Sequence, residues 1–188
     1  MRAPLPLLTL AFFSCVLAGA EPTADDRKAA VEVLRKEADR RAKLFALEKE
    51  WAKKKDAATV EKLKNLRAEM KGWRFDRPED LAEPLVLSKA GEVGTFPHKK
   101  ARVREVIDKN TALIETRTNR AAGDRDDDIT LFVAGVDTSK WADDLAIDAP
   151  AGIWIVTTQK HEGRTYLRLS PLVPSKDESA ALLKAAKP

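Results

Sequence analysis

Only a few residues of this chain are suited to chemistry. It has two histidines, His98 and His161, and one cysteine, Cys15. His98 precedes Lys99-Lys100, and His161 follows Lys160. A neighbouring ammonium repels a metal cation, and neither histidine stands in an HExxH helix or near a nucleophile-elbow serine. Both are expected in solvated loops. Asp124, Asp126, Asp127 and Asp128 form an acidic run. Calcium takes several carboxylate oxygens, but this run lacks the central glycine and the closing glutamate of an EF-hand loop. It reads as a solvated loop. No P-loop and no dinucleotide-binding glycine fingerprint occurs. The expectation is a chain with no catalytic residue, no metal ligand set and no cofactor.

The basic residues offer a different chemistry. Lys99, Lys100, Arg102 and Arg104 form a strip that enters a strand-like segment. Side chains alternate along a strand, so Arg102 and Arg104 share a face. Small barrels bind polyanions on such faces, normally with aromatics for stacking. Phe96, Trp141 and Tyr166 are the aromatics at hand. The strip is thus the candidate surface for a nucleic acid, an anionic polysaccharide or a protein partner. Charge alone does not choose among these, because 34 Lys and Arg stand against 30 Asp and Glu, for a net +4 in 188 residues.

The elements around these residues divide the chain. Residues 1–20 combine Arg2, an apolar stretch from Leu5 to Leu17 and the small-residue signal Ala18-Gly19-Ala20. This is the pattern of a secretory signal peptide cut near Ala20, and it points to a secreted or periplasmic protein. The stretch falls short of the roughly 20 apolar residues that span a bilayer. Cleavage would remove Cys15, leave no thiol and no transmembrane segment, and reduce the net charge to +3 through loss of Arg2.

Residues 21–72 are rich in Ala, Lys, Arg and Glu, with no proline after Pro22 and no glycine before Gly72. They predict one long amphipathic helix, capped by Thr23 or the nearby aspartates and ended at Gly72. A helical hairpin bending near residues 53–59, with Asp56 capping its second arm, is the alternative. Val31, Leu34, Phe45, Val60, Leu63 and Met70 form an apolar stripe. Its spacing drifts from a strict heptad, which favours a straight helix over a sustained coiled coil. Such a stripe needs a partner: another helix, the following domain or a second copy of the chain. The helix also carries the excess charge, with fifteen bases against ten acids between residues 23 and 72.

Residues 73–84 contain Pro78 and Pro84 and read as a linker. Residues 85–174 change to short β-type runs. Arg102–Ile107 and Ala112–Thr118 flank a turn at 108–111, and Ile129–Val133 is a third strand. A short helix is expected at 137–145, then strands at Ile153–Gln159 and Thr165–Leu169. A short C-terminal helix or tail follows at 175–188, starting at Ser175 or Asp177. The fold class is α+β: a long N-terminal helix, then a five-stranded barrel of OB type or the related SH3-like type. Phe96, Val103, Val106, Leu113, Leu131, Val133, Trp154, Val156, Tyr166 and Leu167 would fill much of its core.

Two phrases, Val106–Thr111 and Val136–Ser139, resemble the staphylococcal-nuclease family, whose barrel is also of OB type. The resemblance places Asp108 and Asp137 at positions where that family has metal-binding aspartates. Asn110 replaces a second aspartate, Phe132 the phosphate-stabilising arginine and Lys140 the glutamate base. It therefore implies topology without the nuclease reaction. The whole layout is similar to uncharacterised secreted bacterial proteins of planctomycete type, through Val93–Phe96, Val106–Glu115, Gly135–Thr138 and Trp154–Thr157. That resemblance implies architecture. The function expected is that of a non-enzymatic interaction protein, associating with itself or another protein through the helix and binding through the barrel.

Overall fold

The computed structural model describes residues 21–54, 56–117 and 128–187. The expected signal peptide and most of the acidic run lie outside them. The described elements include three α-helices and seven strands.

Helix α1 (Ala24–Trp51) starts at a capping box. The Asp26 N–H donates to Thr23 Oγ1 at 3.1 Å, and the Thr23 N–H donates to Asp26 Oδ2 at 2.8 Å. The single long helix does not form. The chain turns after Trp51, and α2 (Ala57–Met70) returns along α1. Asp56 is the reason for the break: it takes an extended conformation, and its Oδ1 accepts the Thr59 N–H at 2.9 Å. An aspartate that caps the next helix gives up its place in the previous one. Ion pairs tie the arms together, Arg67 to Glu48 at 2.7 Å and Arg40 to Glu69 at 2.8 Å.

The segment after α2 is docked rather than free. Phe45 of α1 meets the rings of Trp73 and Phe75 at 5.8 and 5.6 Å. The buried Arg41 guanidinium lies 4.8 Å from the Trp73 ring centre and donates to the Asp80 carbonyl at 2.6 Å and to Glu37 at 2.7 Å. A 3-10 turn at Pro78–Leu81 then sends Leu81 into the core.

One curled sheet follows. Strands β2 (Lys100–Asp108), β3 (Thr111–Arg117) and β4 (Asp128–Ala134) form an antiparallel meander. β5 (Ala146–Asp148) returns to pair with β2. β6 (Ile153–His161) and β7 (Arg164–Leu172) form a hairpin, and β7 pairs in parallel with β4. β1 (Val93–Thr95) adds to β6, so the order is β1-β6-β7-β4-β3-β2-β5. α3 (Lys176–Ala186) closes the chain behind its Ser175 cap.

The period-two pattern divides the strands between two cores. Val103, Ile114, Leu131, Val133, Trp154, Val156 and Leu169 fill the inner one. Ile153, Ile155 and Leu172 face the other way, onto Ala30, Leu34 and Ala38 of α1 and Leu182 and Ala186 of α3. Of the remaining residues expected in the core, Phe96, Val106 and Leu167 pack at the inner margin. Leu113 and Tyr166 alternate to the outer face instead.

Seven strands stand where five were expected, because β1 and β5 are three-residue additions to the sheet edges. The helix expected at 137–145 is replaced by turns. Asp137 binds its own turn, with Oδ1 accepting the Ser139 N–H at 3.0 Å. Val103 donates to the Leu145 carbonyl and accepts from the Asp144 N–H, which draws the segment onto β2. The turn at 108–111 is tighter than expected: Asp108 pairs with Thr111, leaving Lys109-Asn110 as the loop. In the β6–β7 turn, Glu162 and Gly163 both have positive φ, as a two-residue hairpin requires.

Candidate binding surfaces

The phrases Val106–Thr111 and Val136–Ser139 meet in space. The Thr138 hydroxyl donates to the Asp108 carbonyl at 2.5 Å, and the Thr138 N–H donates to the Lys109 carbonyl at 3.1 Å. Their carboxylates, however, are engaged in their own turns. Asp108 Oδ1 accepts the Asn110 N–H at 2.7 Å, and Asp137 Oδ1 accepts from Ser139. The hydrogen bonds from Ser139, with Lys140 nearby, hold Asp137 below the usual carboxylate range. Among the described residues, no group of three or more His, Cys, Asp or Glu is arranged to hold a metal ion.

Gly94 and Gly135 have backbone reasons. A Cβ on Gly94 would lie 2.2 Å from the Glu83 carbonyl oxygen, where β1 runs beside residues 83–85. Gly135 turns the chain out of β4 at φ +74, and a Cβ there would press on Pro171 at 2.9 Å.

Lys99, Lys100, Arg102 and Arg104 are all exposed along the start of β2. Three of them have acidic neighbours. Lys100 reaches Asp148 at 2.6 Å, Arg104 reaches Glu115 at 2.6 Å, and Arg102 stands 4.0 Å from Asp144. Exposed pairs like these contribute little to stability, but they offset the field of the strip. Lys99, Lys100 and Arg102 line a depression of about 420 Å³ together with His98, Thr116 and Arg117. His98 lies between elements as expected, but it is half-buried rather than solvated, and its Nε2 is buried without a hydrogen bond.

The stripe residues separate. Leu34 is buried in the outer core, and Val31 packs beside it. Phe45 meets the aromatics of the following segment. Val60 is exposed, and Leu63 and Met70 are half-buried on α2.

A fourth surface was missed from sequence. His161 is not in a loop: it ends β6, with its ring edge-on to Phe132 at 5.8 Å and near Tyr166 at 6.5 Å. Its Nε2 is 3.6 Å from the Glu105 carboxylate. Beside this group lies Arg168, which is 7% exposed. Arg168 Nε donates to Ser170 Oγ at 3.2 Å and Nη1 donates to Gln159 Oε1 at 3.0 Å. The signal was in the pattern: past Ile155 the outward positions of β6 and β7 turn polar at period two, through Thr157, Gln159 and His161, then Tyr166, Arg168 and Ser170.

Among the described residues, no helix is long and apolar enough to cross a membrane. Comparison with protein-family models, with curated proteins and with solved structures gives no match to this chain.

Proposed function

We propose that the chain is an exported, non-enzymatic interaction protein, in which the α1–α2 hairpin associates with a second copy of the chain and the sheet carries a binding surface. The observation that carries this reading is the hairpin. α2 folds back on α1, and Leu66 is its one buried residue. Val60 is 52% exposed, and Leu63 and Met70 keep partly open apolar surface beside it. A helix of this kind gains stability by burying its remaining apolar face against another. The pattern of residues 1–20 supports export. The strand order, the parallel β4–β7 pair and the β1–β6 contact fit an OB-type barrel, with β1 and β2 as two halves of its first strand.

Light scattering on the chain from Glu21 onward tests the association. The expected result is a mass of two chains that falls to one in Val60→Glu and Leu63→Glu. A single-chain mass for the parent protein at every concentration would overturn it.

A second reading, polyanion binding, draws on the depression that brings Lys99, Lys100, Arg102 and Arg117 together. Fluorescence anisotropy with single-stranded DNA and with heparin checks it. Binding should weaken steeply as salt rises and fall in Lys99→Gln. Binding that ignores salt counts against it.

A further inference from the structure

The outer face of the sheet holds a buried cation, Arg168, that makes no ion pair with any carboxylate among the described residues. Among the described residues, no carboxylate lies within 4.0 Å of the Arg168 guanidinium. Its neutral partners are Ser170 and Gln159, and its guanidinium carbon sits 6.0 Å from the Phe132 ring centre. Burial lowers its proton affinity, and the more distant charge of Glu21 opposes that effect. A buried cation without an anion is costly to the fold. Two neighbours also have unused hydrogen-bonding capacity. Thr157 is the cross-strand partner of Arg168, and its Oγ1 is buried with no hydrogen bond. His161 Nε2 is likewise buried and unbonded. The apolar groups of this face, Leu113 and Phe132, are buried but belong to neither core cluster.

We propose that this face is a binding site for an oxyanion, a carboxylate or a phosphate, carried on an aromatic or apolar ligand. The free edge of the Arg168 guanidinium receives the anion, because Nε and one hydrogen of Nη1 are already held by Ser170 and Gln159. Thr157 Oγ1 donates a second hydrogen bond. Phe132 and the part-exposed rings of His161 and Tyr166 pack the apolar portion of the ligand. The inference rests on the barrel half of the proposed function and is independent of association through the helices.

The test is an NMR titration of the chain from Glu21 onward, read at the Arg168 Nε–H and the Thr157 amide. The probes are benzoate, phenyl phosphate, acetate and inorganic phosphate. Saturable shifts are expected with benzoate or phenyl phosphate, at a Kd on the order of 1 mM. The preferred member of that pair tells carboxylate from phosphate, and acetate and inorganic phosphate should bind at least tenfold more weakly. Arg168→Met should abolish saturation, and Thr157→Val should weaken it several-fold. Ligand-free Arg168→Met should melt at or above the parent temperature, since it removes an uncompensated charge. No saturable shift with any probe, shifts that persist in Arg168→Met, or a large fall in its melting temperature would each overturn the proposal. The light-scattering mass is unaffected by any of these outcomes, so the two ideas fail separately.

Discussion

Removing the Glu92 carboxylate should loosen the loop that leads into β1. Its Oε2 accepts the N–H groups of Val86 at 3.0 Å and Leu87 at 2.8 Å. Its Oε1 accepts the N–H groups of Ser88 at 2.8 Å and Lys89 at 3.0 Å, and the Ser88 hydroxyl at 2.7 Å. The arrangement holds Leu87 at φ +63, a conformation costly for leucine, while its side chain is buried in the inner core. Four of these bonds are exposed, and water replaces them at a loss of roughly 0.5 kcal/mol each; the partly buried Leu87 donor loses about 1 kcal/mol more. Glu92→Ala should therefore cost about 3 kcal/mol, or roughly 6–12 °C in Tm for a chain of this size. Glu92→Gln keeps one acceptor and should cost about half as much. Urea unfolding at constant m-value measures both. The pH dependence has a definite sign. Partial burial alone would raise the Glu92 pKa, but the hydrogen bonds from Ser88, Leu87 and Lys89 outweigh it and hold it below the ordinary 4.5. A depressed folded-state pKa contributes stability above the unfolded value and loses it as pH falls through the folded one. The gap between the parent protein and Glu92→Gln should stay constant near neutrality and close below about 4.5. A Glu92→Ala protein within about 0.5 kcal/mol of the parent, or a gap indifferent to acid, would refute the reasoning.

Gly94→Ala drives a methyl group into the Glu83 carbonyl oxygen and should lower stability by about 3 kcal/mol in thermal melts. Arg41→Lys keeps the charge but loses the fork that serves Glu37 and Asp80 together; calorimetry should show a loss of about 2 kcal/mol. Asp56→Ala removes the α2 cap and should cost about 1 kcal/mol, with hydrogen exchange quickening in the first turn of α2 before α1 responds.

Elements with a local cause were legible in the sequence. The Thr23 and Ser175 capping boxes, the 3.6-residue periodicity of α1 and the alternation in β6 each follow from neighbouring residues. Asp56 carried the hairpin in its residue type, but the good helix formers on either side outweighed it in a window-based reading. β1 and β5 were hidden because three residues show no period; each exists only because a longer strand offers it an edge. The outward placement of Arg168 follows the alternation of β7, but its lack of an ion-pair partner among the described residues was illegible for a similar reason. Its position on β7 is ordinary, and its isolation from carboxylates depends on which strands lie beside it. Lys100, Arg102 and Arg104 lie on β2 with Lys99 just before it; of the acids that offset them, Glu115 comes from the adjacent strand β3, whereas Asp144 and Asp148 are remote in sequence.

The parallel pairing of β4 with β7 has a consequence for how the chain comes apart. Within the sheet, the run from β2 to β5 joins the remaining strands only along this pair. Both helical termini belong to the other side, where α1 and α3 clamp Ile153, Ile155 and Leu172. The β2–β5 run is thus a continuous insert within a unit built from the two ends of the chain. Its β2–β3 and β3–β4 pairings are local and form quickly, while the β2–β5 pairing and the β4–β7 junction each close a long loop and form late. Opening along the β4–β7 junction also uncovers the inner core that both sides share, but β6 and β7 keep α1 and α3 packed behind them; the insert should therefore exchange its amides at lower free energy than these two strands.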